Sequence, residues 1–215
     1  MITALPDSAR FVYLGLTGEY CRISSVRIDK TGEEIEEGFI QRIAEKISYI
    51  DVPAGDIPNV QIDGYRMAAS DGILIKDNMK ITFHTMSLPT ARLVWHCPYI
   101  DIFYSDDGRV NGENYRDFTL MRLDGEYWEC DDASENRITV EKSDSFEGWE
   151  AWKKYNKEGF DCTITLSREG NTITAETENF GLYIKCITGI KDGTKTIYAA
   201  LTGDQCAITN IKIIS

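Results

Sequence analysis

The stretch "DCTITLSREGNTITAETEN", residues 161–179, alternates apolar and polar side chains on both sides of Glu169-Gly170-Asn171. Alternation with a period of two is the pattern of a half-buried β-strand, and Gly-Asn favours a tight turn, so this stretch predicts a β-hairpin. The stretch "DFTLMRLDGEYWEC", residues 117–130, predicts a second hairpin that turns at Asp124-Gly125. Many strands with regular turns are typical of an all-β sandwich, which we assign to residues 51–215.

Other segments extend this prediction towards the N-terminus. "ILIKDNMKITFHTM", residues 73–86, predicts two short strands about Asp77-Asn78, and "ARLVWHCPYIDIFYSDDGRV", residues 91–110, predicts one long strand interrupted by Pro98. The preceding residues 51–66 contain two prolines and two glycines, which indicates a loop or an edge strand.

One helix is expected to interrupt the strands, in "SDSFEGWEAWKKYNKEGF", residues 143–160. The Ser and Asp residues at its start are candidate N-caps, and Gly159 is the expected C-terminal stop. Phe146, Trp149 and Trp152 recur every third residue, so they lie on one side of the helix. Such a stripe usually packs a crossover helix against a sheet.

The two ends of the chain resemble each other. Without gaps, residues 2–28 match residues 187–213 at ten of 27 positions, including "LTG" and the cysteine of "YLGLTGEYCRISSVRI" and "YAALTGDQCAITNIKI". We interpret the match as a duplication, and we interpret each copy as a β-hairpin that turns at Thr-Gly-acidic. Two organisations follow: residues 1–28 are the tail of an upstream repeat, which we favour, or the two hairpins are pseudo-symmetric parts of one sandwich.

Between these parts, residues 29–50 are expected to form a connector that is partly helical. Apolar residues Ile35, Phe39, Ile43 and Ile47 recur at intervals of four and define one helical stripe with a charged opposite face.

Composition limits the partners. The chain has 23 Lys and Arg against 35 Asp and Glu, a formal net charge of −12, which argues against a nucleic-acid surface or an anionic membrane as partner. The N-terminus shows no signal-peptide pattern, and no apolar run is long enough for a membrane span. The six cysteines include no C-x-x-C pair, so we expect reduced thiols and a cytoplasmic chain without a zinc ribbon.

The C-terminal strand order carries a resemblance to known folds. The hairpin of residues 161–179, then "GLYIKC" and "ALTGDQCAITNIKII", resembles the C-terminal half of concanavalin A-like and laminin-G-like sandwiches. The resemblance implies a jelly roll of this kind, with one flanking helix and the N-terminal hairpin and connector helix added. It is specific for fold more than for function.

A longer resemblance involves four segments. The chain is similar to accessory modules attached downstream of bacterial HD-domain phosphohydrolase-like proteins, in the segments that span residues 42–66, 88–118, 122–129 and 200–211. This resemblance implies an upstream HD-type domain as partner in a longer protein. The chain itself has only His84 and His96 and no His-Asp pair, so it is not expected to form an HD metal site.

A candidate ligand-binding face follows the strand predicted around Trp95–Tyr104. Aromatic rings stack on the C–H faces of sugars while Asn, Asp and His bind hydroxyl groups, which is the usual mixture of a small polar ligand site. Alternation also predicts that about half of these rings point into the sandwich. The candidate ligand-binding residues are Trp95, His96, Tyr99, Tyr104, Asn114, Tyr115 and Trp128.

A calcium site is a weaker candidate in "YSDDGRVNGENY", residues 104–115. Asp106, Asp107, Asn111 and Glu113 supply oxygen donors of the kind that Ca²⁺ prefers. Their spacing differs from that of an EF-hand, and two successive turns, Asp-Gly and Asn-Gly, explain the same residues without metal.

A catalytic pair is not predicted. Glycoside hydrolysis needs two carboxyl groups across a cleft, whereas Glu126 and Glu129 of "DGEYWECDD" fall on opposite faces of a strand. We therefore expect a non-catalytic binding or regulatory module for a carbohydrate or other small polar ligand. The alternatives are a structural protein-interaction module and, least favoured, a glycoside hydrolase.

Overall fold

The computed structural model describes residues 22, 24–27, 52–129 and 132–214 of the chain, and the side chains of residues 127–129 are not part of that description. The hairpin expected over residues 1–28 and the connector expected over residues 29–50 lie outside the described residues. Those two segments, and the boundary placed at residue 51, stay predictions.

Two antiparallel sheets make up the described region. The seven-stranded sheet has the order β1-β12-β3-β8-β9-β10-β7, and the five-stranded sheet has the order β2-β11-β4-β5-β6. The elements are β1 (Val60–Ile62), β2 (Ile73–Leu74), β3 (Asn78–Ser87), β4 (Pro98–Tyr104), β5 (Arg116–Arg122), β6 (Tyr127–Glu129), β7 (Ser134–Lys142), α1 (Trp149–Glu158), β8 (Phe160–Glu169), β9 (Thr172–Asn179), β10 (Leu182–Ile190), β11 (Tyr198–Gly203) and β12 (Cys206–Ile214).

The core lies between the two sheets. In β8 the side chains of Cys162, Ile164 and Leu166 are buried, while the intervening residues are exposed or half-buried. Ile100 and Ile102 of the other sheet belong to the same buried apolar cluster. The prediction of an all-β sandwich is confirmed, as are both predicted hairpins and the edge strand, which is β1.

The C-terminal copy of the repeated sequence corrects one prediction. β11 and β12 do not pair with each other, because β11 joins β2 and β4 in one sheet while β12 joins β1 and β3 in the other. The Thr-Gly-Asp sequence is therefore a corner at which the chain crosses between the sheets, not a hairpin turn. A Cβ added to Gly203 would lie 2.6 Å from Cys206 Sγ and 2.7 Å from the Cys97 carbonyl oxygen, so the corner needs glycine there.

The predicted helix is present on the flank of the sandwich. The side chain of Trp152 is buried, and Phe146 and Trp149 are partly buried against the core, which confirms the packing expected for this stripe. The expected Ser and Asp caps are wrong: the N-cap is Gly148, with no side-chain hydrogen bond. Gly159 ends the helix with φ 83°, as expected.

The described residues contain no helix with the length and apolarity needed to cross a membrane. Cys97, Cys162, Cys186 and Cys206 are free and buried, so they pack as small apolar side chains. Cys21 and Cys130 lie outside the described residues.

Candidate ligand-binding site

A pocket of about 720 Å³ opens at one end of the sandwich. The ends of β4 and β5 form one wall, and Ile190 at the end of β10 brings the other sheet to the same place. Loops on either side complete the wall. The lining residues are Tyr104, Asp106, Asn114, Tyr115, Arg116, Phe118, Ala133, Ile190, Asp192 and Lys195.

The strand geometry explains which side chains reach the pocket. Tyr104 is opposite Arg116 in the β4–β5 register, so both lie on the same face of the sheet. The register shifts after Ile102, where β5 carries one more residue than β4, and Phe118 is that extra residue. This irregularity places Phe118, with Ile190, on the apolar part of the pocket wall.

One wall is organised by the carboxylate of Asp106. Its oxygens accept hydrogen bonds from the Tyr104 hydroxyl and from Asn114 Nδ2, the latter at 2.6 Å. These hydrogen bonds, Tyr104 first, lower the pKa of Asp106, and the same contact raises the pKa of Tyr104. Lys195 Nζ lies 4.6 Å from the centroid of the Tyr104 ring, on its face. The wall therefore presents an aromatic ring, an amide, a carboxylate and an ammonium group together.

The opposite aromatic residue, Tyr115, is held by a buried polar network. Its hydroxyl donates to Asp101 Oδ2 at 2.7 Å and also contacts Asp117 Oδ1. Arg66 donates to the Tyr115 hydroxyl at 2.8 Å, to Asp101 at 2.8 Å and to both oxygens of Asp117. Since the hydroxyl is used in this network, Tyr115 offers mainly its ring to the pocket.

The two carboxyl groups of the network differ in their acidity. Asp101 is 0% exposed, and burial, with the neighbouring charge of Asp117, raises its pKa to about 8. Burial acts in the same direction on Asp117, but the hydrogen bonds from Arg66 outweigh it and lower that pKa. Burial likewise works against the Arg66 cation, yet the hydrogen bond to Asp117 and the two nearby carboxylates raise its pKa. Near pH 7 we therefore assign one proton to Asp101 and one ion pair to Arg66 and Asp117.

The structure brings three of the seven predicted ligand-binding residues into this pocket: Tyr104, Asn114 and Tyr115. Asp106, proposed above for calcium, lines the same pocket. Trp128 belongs to β6, but its side chain is not described.

The other three predicted residues lie elsewhere, and the strand expected around Trp95 is wrong because β4 begins only at Pro98. Trp95 is 42% exposed in the preceding loop, and His96 is buried there. His96 Nδ1 accepts a hydrogen bond from the backbone N–H of Arg92, and Tyr99 is a core residue whose hydroxyl donates to the Trp95 carbonyl. Both His96 and Tyr99 therefore have structural roles.

The calcium candidates form a hydrogen-bonded loop. Asp107 Oδ1 accepts a hydrogen bond from the backbone N–H of Arg109, and the backbone N–H of Asp106 donates to the Glu113 carbonyl. Asn111 and Glu113 are exposed. Over residues 52–129 and 132–214 no group of three or more His, Cys, Asp or Glu side chains is placed to hold a metal ion. Calcium binding by this loop stays a prediction.

Of the two carboxylates considered for glycoside hydrolysis, Glu126 is not among the residues that line the pocket. Glu126 belongs to the β5–β6 turn, not to a strand as expected, and it forms an ion pair with Arg122. The Glu129 side chain is not described.

Several pocket and network residues were not predicted from the sequence. Asp101 had a signal, since it is the single acid within the apolar run Pro98–Tyr104, and an isolated charge in a buried strand indicates a polar partner. Arg66 and Lys195 had no local signal, because both come from loops far along the chain from β4 and β5.

Comparison with known proteins gives weak matches to solved structures and no match by sequence. No family model matches the chain, and no curated protein matches its sequence. Among solved structures, CG-16, a homodimeric agglutinin from chicken liver, is 9% identical with a TM-score of 0.34 over 72% of this chain and 98% of that one. The Ca²⁺- and mannose-bound exoplasmic/lumenal domain of VIP36 is 16% identical with a TM-score of 0.33 over 68% and 71% of the two chains. Lactose- and MES-liganded congerin II is 12% identical with a TM-score of 0.30 over 74% and 99%. At these values the similarity identifies neither a ligand nor a site.

Proposed function

We propose that the chain is a non-catalytic module that binds a carbohydrate or another small polar ligand in the pocket at the end of the sandwich. The observation that carries the proposal is the combination of two aromatic side chains, Tyr104 and Tyr115, with amide, carboxylate and cationic groups around one cavity.

The size and lining of the pocket support a small ligand. Its volume of about 720 Å³ lies within the range of roughly 300–1,000 Å³ that small-molecule sites occupy. Phe118 and Ile190 are buried at the apolar base of the pocket, and the half-buried rings of Tyr104 and Tyr115 are the surfaces available to the C–H face of a sugar ring. Asn114 Nδ2 and Lys195 Nζ are donors, and Asp106 retains acceptor capacity, so hydroxyl groups of a ligand would find both kinds of partner.

Pre-organisation of the wall also supports binding. Tyr104 and Asn114 are both fixed by Asp106, and Tyr115 is fixed by Arg66 and Asp101. A ligand would therefore meet side chains that are already ordered, which reduces the entropy lost on binding.

A second candidate function is a protein-interaction module in a larger bacterial, cytoplasmic HD-domain protein. The sequence resemblance supports the HD-type partner, and the outermost strand β7 is the feature that favours an interaction role. A glycoside hydrolase is the least favoured candidate, since Glu126 is already paired with Arg122.

A two-step experiment tests the leading proposal. A glycan array and a thermal-shift screen of sugars and nucleotides, each with Ca²⁺ and with EGTA, would identify a ligand. Isothermal titration calorimetry would then compare the wild type with Tyr104→Ala and Asn114→Ala. We expect both variants to lose at least about tenfold in affinity, a loss of roughly 1.4 kcal/mol.

Trp95→Ala is the matched control, because Trp95 is an exposed aromatic residue outside the pocket lining. Its affinity should equal that of the wild type. A loss confined to Trp95→Ala, or no loss in the two pocket variants, would refute the proposed site.

A further inference from the structure

β7 (Ser134–Lys142) is the outermost strand of the seven-stranded sheet, and it pairs with β10 along all nine of its residues. No strand among the described residues pairs with its other side. The part of this edge from residue 136 to residue 142 presents a row of backbone donors and acceptors to a strand that can lie against it.

The backbone pattern shows which residues face outward. The N–H of Ser143 donates to the Gly181 carbonyl, and the N–H of Lys191 donates to the Ala133 carbonyl, so odd-numbered positions face β10. Because antiparallel pairs alternate, the even-numbered positions direct their N–H and C=O groups away from the sheet. Those that a partner strand would use are Asn136, Ile138, Val140 and Lys142.

The charges along β7 match a second copy of the same strand. If two antiparallel copies pair with Thr139 opposite Thr139, Arg137 of each copy lies opposite Glu141 of the other. Centring the pair on Ile138 would instead place Glu135 opposite Glu141, a like-charge contact. Arg137, Thr139 and Glu141 are all exposed, so their side chains are accessible to a partner.

The apolar side chains of β7 fit the same register. Ile138 and Val140 lie opposite Cys186 and Ile184 of β10, on the face that points into the sandwich. Val140 nevertheless remains 40% exposed because it lies at the open edge. In the Thr139-centred register the side chain of Ile138 in one copy lies beside that of Val140 in the other. The backbone groups of both residues point away from β10, so apolar contact and about eight inter-chain hydrogen bonds would form together.

We propose that the β7 edges of two copies of this chain pair antiparallel about Thr139, which joins the seven-stranded sheets into one continuous sheet. The occupant is a second copy because the charges of β7 are complementary to themselves in this register, whereas the register centred on Ile138 brings two glutamates together. The arrangement is isologous, with Arg137–Glu141 contacts formed twice.

Sedimentation equilibrium of the full 215-residue chain tests the proposal with a charge swap. The wild type should dimerise, Arg137→Glu should weaken the dimer at least about tenfold, and the double variant Arg137→Glu, Glu141→Arg should restore it to within about threefold. The proposal would be overturned if the wild type stays monomeric at about 0.3 mM. It would also be overturned if Arg137→Glu leaves the dimer dissociation constant unchanged, or if the double variant does not restore it.

Cross-linking tests the centre of the register without altering charge. Thr139→Cys should yield a disulfide-linked dimer under mild oxidation, since Thr139 would face its own counterpart. Thr163→Cys is the matched control: Thr163 is exposed on the same sheet but belongs to the interior strand β8, so this variant should yield no disulfide-linked dimer. Equal cross-linking of both variants would contradict pairing at β7. No cross-linking in Thr139→Cys would contradict it too, and this is the result expected if another segment of the chain covers the β7 edge.

Discussion

The buried proton of Asp101 gives the molecule an unusual expected pH dependence. The pKa of this carboxyl is raised from 3.8 to about 8 by burial and by Asp117, so between these values the folded chain binds a proton that the unfolded chain releases. Stability therefore falls as the pH rises through this window, opposite to the usual behaviour of an ion-paired carboxylate. Asp101 is fully buried, so solvent screening does not reduce the effect.

The clearest window lies between pH 6.5 and 8. Below this window His96 affects stability with the opposite sign, because burial lowers its pKa and stability rises as the unfolded chain loses that proton. Above the window the cysteine thiols begin to ionise in the unfolded chain. One proton held with a pKa of about 8 corresponds to a loss of roughly 1–2 kcal/mol of unfolding free energy across the window.

Urea denaturation at several pH values would measure this loss. We expect the wild type to lose roughly 1–2 kcal/mol between pH 6.5 and 8, and Asp101→Asn, which cannot titrate, to stay level or rise slightly. Asp106→Asn is the control, because Asp106 is exposed and its pKa is lowered, so this variant should keep the wild-type decline. The protonation of Asp101 would be refuted if the unfolding free energy of the wild type did not change over this pH range, or if that of Asp101→Asn declined equally.

Three further substitutions test the fold by chemical denaturation. Trp152→Ala should lower the free energy of unfolding by about 3–5 kcal/mol, because it removes the largest buried side chain of α1. A decrease below about 1 kcal/mol would contradict its place in the core. Gly203→Ala should cost about 1–3 kcal/mol, since its Cβ would meet Cys206 Sγ and the Cys97 carbonyl, and a neutral change would contradict the corner between the sheets. Arg66→Met should cost about 3–5 kcal/mol at pH 7 by leaving the Asp117 charge without its ion pair, and full stability would contradict the network.

Local pattern was enough to predict the class of fold. The alternation in residues 161–179 and the turn at Asp124-Gly125 correspond to β8–β9 and β5–β6 as observed. In these hairpins the strands that pair are adjacent in sequence, so the signal and the contact lie in the same short segment.

Pairing between distant strands was not predictable in the same way. The Thr-Gly-Asp sequence near Gly203 reports a change of direction, but β12 pairs with β3 and β1, which come more than a hundred residues earlier. Whether two strands form a hairpin or cross between sheets depends on those remote partners, and no local residue encodes them.

The same distinction applies to the candidate site. Tyr104, Asn114 and Tyr115 come from one loop and its flanking strand ends, so their proximity followed from the sequence. Arg66 and Lys195 join them only through the topology of the two sheets.

NMR mapping of ligand contacts is the sharpest test of the proposed pocket. The full chain, labelled with ¹⁵N, would be titrated with the ligand that most raises its melting temperature in the sugar and nucleotide screen. We expect amide shifts concentrated in residues 104–116 and 190–195, around the pocket. Shifts confined to the distant face of β8 and β9, or a screen in which no sugar or nucleotide stabilises the chain, would contradict it.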